Sequence, residues 1–152
     1  AYEMCGRDWV QTCALPIYDM TTELTYLTLS LLLAASMWIP YIVGVNMHPQ
    51  DGLDPFDRPP PLTGFPAWVH RAHRAHLNQI ETIAPFAALV LVAQVVDVST
   101  PLTVWACALY FWVRLIHAVG MVSGRARFPL RPALFLLSWV CTLVIGVQLL
   151  VA

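Results

Sequence analysis

The sequence predicts an all-α integral membrane protein, a bundle of four transmembrane helices, and three observations carry that prediction. Of the 152 residues, 59% are hydrophobic and only 11% are charged, whereas a soluble domain carries about 25% charged residues. The mean hydropathy is +0.66, and four apolar runs of about 20 residues or more are separated by polar breaks rich in proline or glycine. Lysine is absent, and the arginines that replace it gather in two of the loops. A net charge of −1 gives no reason to expect a nucleic-acid partner.

Residues 1–19 fit the rest poorly. They hold two cysteines, a tryptophan and mixed charges without periodicity or a signal-peptide plan. They read as a non-native leader, and Met20-Thr-Thr-Glu-Leu-Thr-Tyr26 reads as the start of one domain over residues 20–152. The first span, Leu24 to Met47, has no charge and is long enough for a ~30 Å hydrocarbon core. Pro40 predicts a kink within it, which neighbouring helices tolerate. Residues 48–66, with Asp54-Pro55 and Asp57-Arg58-Pro59-Pro60-Pro61, form a polar loop of polyproline character. The second span runs from about Ala67 to Val96. Asp97-Val-Ser-Thr-Pro101 is a short turn that supplies an N-cap before the proline. The third span covers about Leu102 to Val122. After the basic turn Ser123 to Arg131, the uncharged stretch Pro132 to Ala152 supplies the fourth.

Topology follows from the arginines. In a four-span chain the loops after the first and third spans share one side of the membrane. They and their flanks carry Arg58, Arg71, Arg74, Arg125, Arg127 and Arg131, while the opposite side, residues 1–18 left out, has Asp19, Glu23 and Asp97 and no arginine. The positive-inside rule then puts both arginine-bearing loops in the cytoplasm and both termini outside it.

Two polar stripes mark the spans. On a helix, Arg71, Arg74, Asn78, Glu81 and Pro85 fall within roughly 80° of one another. In the third span, Tyr110, Arg114, His117, Met121 and Arg125 do the same. Arg114 lies ~14 Å from the end of its span, too deep to reach water by snorkelling alone. Glu81 sits at comparable depth, so an ion pair between Glu81 and Arg114 is the simplest expectation. Such a pair would either fix helix packing or hold a zwitterionic ligand. His70, His73 and His76 fan across about 120° of the helix, too wide for a single metal ion, and read as interfacial, hydrogen-bonded imidazoles. Cys107 and Cys141 read as buried, inert thiols. No Gly-rich phosphate loop and no serine or cysteine nucleophile is evident.

The run Arg74-Ala-His-Leu-Asn78-Gln-Ile-Glu81-Thr-Ile-Ala-Pro85-Phe86 closely resembles the second-helix signature of the MAPEG superfamily, the membrane-associated proteins in eicosanoid and glutathione metabolism. Its likeness to the microsomal prostaglandin E synthase type is strongest there. Arg114-Leu-Ile-His117 resembles that type's third-helix motif, and Phe128-Pro129-Leu130-Arg131 resembles its loop into the fourth helix. Where family members often carry a tyrosine this chain has Met121, and where the prostaglandin synthase type has a serine it has Pro132, as in the chain's general look of a bacterial member. The resemblance spans residues 20–152. It implies a homotrimer in a bacterial inner membrane that binds glutathione between protomers through Arg71, Arg74, Asn78, Glu81, Arg114 and His117. It further implies that Arg131 stabilises the glutathione thiolate for attack on lipophilic electrophiles, a transferase- or peroxidase-type reaction. The alternative from the residues themselves is a non-catalytic membrane interaction protein in which a Glu81–Arg114 pair is purely structural.

Overall fold

A computed structural model describes residues 20–49 and 64–152. Residues 1–19, read above as a leader, and the proline-rich stretch that carries Arg58 lie outside the described residues. Among the described residues five helices form: α1 (Thr22–Ser36), α2 (Trp38–Met47), α3 (Ala67–Val95), α4 (Pro101–Ser123) and α5 (Leu130–Val151). Helices α1 and α2 make up one span, so four segments are long and apolar enough to cross a membrane. The protein is an all-α, four-span membrane bundle.

The first span is two helices rather than one because of Pro40. A proline has no N–H to give, and its ring collides with the carbonyl four residues earlier, here that of Ser36. The chain answers with a tight turn at Met37, whose N–H reaches the carbonyl of Ala34 at 3.3 Å. Helix α2 then leans on α3. Gly44 permits the approach: a Cβ there would stand 2.6 Å from Val69 Cγ2, so the small residue lets two backbones come together.

Helices α4 and α5 are the most closely associated pair, and α1 and α3 both pack against α4. The main core takes Leu27 and Ala34 from α1, Ile83, Phe86 and Val90 from α3, Tyr110 from α4, and Cys141 and Ile145 from α5. Phe86 and Tyr110 stack face to face with ring centroids 3.7 Å apart. A second cluster, Met37, Ala75, Ala118, Met121 and Ala126, fills the bundle toward its other end. Met121 is thus packing material, 4% exposed.

The two ends of the bundle differ in chemistry. At one end hydroxyl, amide and carboxylate groups lace the helices together. Glu23 of α1 accepts from Ser99 Oγ at 2.7 Å and from Thr103 Oγ1 at 2.9 Å. Thr21 donates to Gln94 and Thr100 to Gln148. Thr100 also caps α4 through a reciprocal capping box with Thr103, followed by Pro101, as the turn sequence predicts. The other end carries the arginines. There α4 stops at Gly124, which takes φ +77°, a left-handed conformation that favours glycine. The chain folds back so that the Ala126 N–H bonds to the Gly120 carbonyl at 2.9 Å, and α5 begins.

Candidate functional site

The inner face of α4 is polar at the arginine-bearing end. Tyr110 and Arg114 are completely buried, and His117 is 2% exposed, so this stripe faces the bundle as its phase predicts. Arg114 donates from Nε to Gln79 Oε1 at 2.8 Å and from Nη1 to Asn78 Oδ1 at 2.9 Å. Both acceptors are neutral amides. Its Nη2 makes no hydrogen bond, and neither do the buried Gln79 Nε2 and Tyr110 hydroxyl. A cation is therefore held deep in the protein with no carboxylate against it among the described residues.

The expected Glu81–Arg114 pair does not form within the protomer. Gln79 and Glu81 differ by about 200° around α3, and Arg114 meets the side that carries Gln79. Glu81 is exposed. Within the protomer, then, the structural ion pair of the alternative reading is not formed.

A cavity of about 570 Å³ opens in front of this arrangement, lined by Asn78, His117, Arg127, Phe128, Arg131, Pro132 and Phe135. That volume falls inside the range of small-molecule sites, about 300–1,000 Å³. Asn78 connects the cavity to the buried cation. An amide has one acceptor and one two-hydrogen donor. With Oδ1 committed to Arg114, the donor end is the one left for the cavity. Arg127 and Arg131, both exposed, add two guanidinium groups to the rim.

The site residues read from the sequence separate into two groups. Asn78, His117 and Arg131 meet at the cavity, with Arg114 behind Asn78. Arg71 is half-buried and packs on the turn, its guanidinium carbon 3.0 Å from where a Cβ would stand on Gly124. Arg74 and Glu81 are exposed and do not line the cavity. Their stripe points roughly 120° around α3 from the face that packs into the bundle. The histidines have separate surroundings: His70 donates to the Phe65 carbonyl at 3.2 Å, and the His73 ring lies tilted against Tyr41 with centroids 4.6 Å apart.

Gln79, Arg127, Phe128 and Phe135 belong to the site and were not picked out by sequence reasoning. For Gln79 the signal was present, since an uncharged amide in an apolar span needs a buried partner. For the others it was not, because they reach the cavity through the fold of the turn.

None of the curated proteins compared with this chain matches it. The model of the MAPEG family matches residues 25–151, which run from the first span to the end of the fourth and take in every residue of the cavity. On that match the chain belongs to the MAPEG family.

Proposed function

We propose that the cavity binds glutathione and that the protein transfers the glutathione thiolate to lipophilic electrophiles, with Arg131 as the catalytic residue. One observation carries the reading: an amide, an imidazole and two guanidinium groups converge on one cavity, with the uncompensated cation of Arg114 behind its wall. Membership in the family carries a membrane-embedded, glutathione-related function in general.

The donor set suits the ligand. Glutathione offers two carboxylates, an ammonium and a thiol. Arg127 and Arg131 can take carboxylate or thiolate in charge-assisted hydrogen bonds, and Asn78 offers the neutral donor that Arg114 orients. The low dielectric between Arg114 and the cavity leaves its field little screened. When bound, glutathione supplies the sulfur nucleophile. A guanidinium beside that sulfur favours its charged form, the role assigned to Arg131. His117, buried at the inner wall, orients the ligand. Phe128, Pro132 and Phe135 give the cavity an apolar side where a lipophilic electrophile can meet it.

The exposed stripe of Arg74 and Glu81 supports assembly. Glu81 lies roughly 21 Å along α3 from Ala67, and a carboxylate at such depth needs protein rather than lipid around it. A homotrimer supplies that cover and brings Arg71, Arg74 and Glu81 of one protomer toward the ligand, with Glu81 facing its ammonium. The arginine-bearing end lies in the cytoplasm of a bacterial cell, with both termini on the far side of the inner membrane.

The test is calorimetry with glutathione on the purified protein, together with conjugation of a chlorodinitrobenzene-type probe. Arg131→Ala is expected to lower kcat by about 10²–10³, the usual effect of removing one anion-stabilising donor, while native mass spectrometry still finds the trimer. Protein that neither binds glutathione nor conjugates the probe would falsify the proposal.

A further inference from the structure

The turn between α4 and α5 divides two cavities. Ala126 rests on Gly120, where an added Cβ would come within 2.9 Å of the Ala126 Cβ, and the hydrogen bond from Ala126 N–H to the Gly120 carbonyl holds it there. On one side lies the polar cavity with Arg127 and Arg131. On the other is a groove of about 330 Å³ with a different character. Leu115, Ile116 and Val119 of α4 and Leu130 of α5 form its walls, and Ser123 and Arg125 stand at its mouth. Ile116, Val119 and Leu130 are each about half exposed, as suits side chains facing hydrocarbon. The groove therefore runs apolar along the membrane-facing side of α4 and ends in a hydroxyl and a guanidinium at the level of the turn.

We infer that this groove is a binding site for one anionic phospholipid, whose acyl chain lies along Leu115, Ile116 and Val119 and whose phosphate meets Arg125. Charge complementarity decides the occupant. Arg125 is exposed beyond the end of α4, where headgroups lie when the span fills the core. Basic residues between spans at that level recognise anionic headgroups. A guanidinium takes a phosphate in paired hydrogen bonds, and the Ser123 hydroxyl can add another. A free phosphate would leave the apolar walls unused, and a zwitterionic lipid would bring an ammonium against Arg125. The site is separate from the glutathione cavity, and its Arg125 is on the opposite side of Ala126 from Arg127.

The experiment uses delipidated full-length protein in detergent, offered equimolar phosphatidylglycerol and phosphatidylcholine, with lipids retained per protomer counted by native mass spectrometry. Wild-type protein is expected to retain one phosphatidylglycerol per protomer with a preference of about fivefold, the effect of one arginine near a membrane surface. Arg125→Gln should abolish the preference. Val119→Trp, which fills the groove, should remove both lipids, and Arg127→Gln should leave retention unchanged. Equal retention of the two lipids would overturn the inference, as would equal loss in Arg125→Gln and Arg127→Gln. Displacement by millimolar inorganic phosphate would also overturn it. So would spontaneous cross-linking of Val119→Cys between protomers, because a second copy would then cover the groove.

Discussion

Replacing Arg114 with methionine removes a charge from the middle of the bundle while keeping an unbranched side chain of similar reach. An arginine at the centre of a span is disfavoured by about 2.5–3.5 kcal/mol on insertion scales, and its loss relieves that. Against it, Gln79 Oε1 and Asn78 Oδ1 lose donors now at 2.8 and 2.9 Å, at about 1–3 kcal/mol for each oxygen left unmatched. The net change therefore lies between roughly 1.5 kcal/mol of stabilisation and 3.5 kcal/mol of destabilisation. Function should respond more clearly. Once Arg114 no longer holds Oδ1, the Asn78 amide is free to turn, and one net hydrogen bond to the ligand is worth roughly three- to tenfold in affinity. Thermal unfolding followed by tryptophan fluorescence gives the first quantity, and calorimetry with glutathione gives the second. The reasoning is refuted by a variant that keeps wild-type affinity, and equally by one that loses more than about 5 kcal/mol of stability, for then Arg114 is a structural group.

Four further substitutions, at three positions, probe the frame around the site. Gly124→Ala places a Cβ at φ +77° and against the Arg71 guanidinium, so the melting temperature should fall by the equivalent of about 1–2 kcal/mol; an unchanged melting temperature would show that the turn adjusts freely. Glu23→Ala strips the acceptor from Ser99 and Thr103 at the far end and should destabilise by about 2–4 kcal/mol with glutathione affinity unchanged. Glu23→Gln, which keeps an oxygen, should lose less than about 1 kcal/mol. Gly44→Leu drives a branched chain into Val69 and Trp68 and should cost about 1–3 kcal/mol or more through overpacking, read as a lower unfolding midpoint.

Much of the bundle was legible because the physics that sets it is local. Apolar length marked the four spans, and the N-cap expected before Pro101 put the start of α4 within a residue of the Leu102 read from the sequence. The phase of Tyr110, Arg114 and His117 gave the buried face of α4 directly. Periodicity, however, fixes a face and not the neighbour it meets. The partner of Arg114 was sought among carboxylates, and Glu81 was the only one at that depth, yet the packing of α3 against α4 presents Gln79 and Asn78 instead. The same limit applies to the stripe from Arg71 to Pro85, whose coherence is real but whose direction is away from the protomer's own core. Pro40 announced a disturbance, and its consequence, a one-residue interruption of the helix at Met37, depended on where the freed carbonyl fell. The cavity itself was the least legible part. Arg127, Phe128 and Phe135 reach it because Gly124 reverses the chain and Ala126 seats on Gly120, a tertiary placement that no repeat in the sequence encodes.

The bonds from Arg114 to Gln79 and Asn78 also bear on how the chain enters the bilayer. Only Val96 to Thr100 separate α3 from α4, and the amides that accept from the arginine are both on α3. Helix α4 by itself would carry a bare cation into hydrocarbon, whereas α3 and α4 together carry it already bonded. The smallest unit that carries α4 across with its cation already bonded is therefore the α3–α4 hairpin. In a glycosylation-mapping assay α4 alone should integrate poorly, and the hairpin should integrate as one piece.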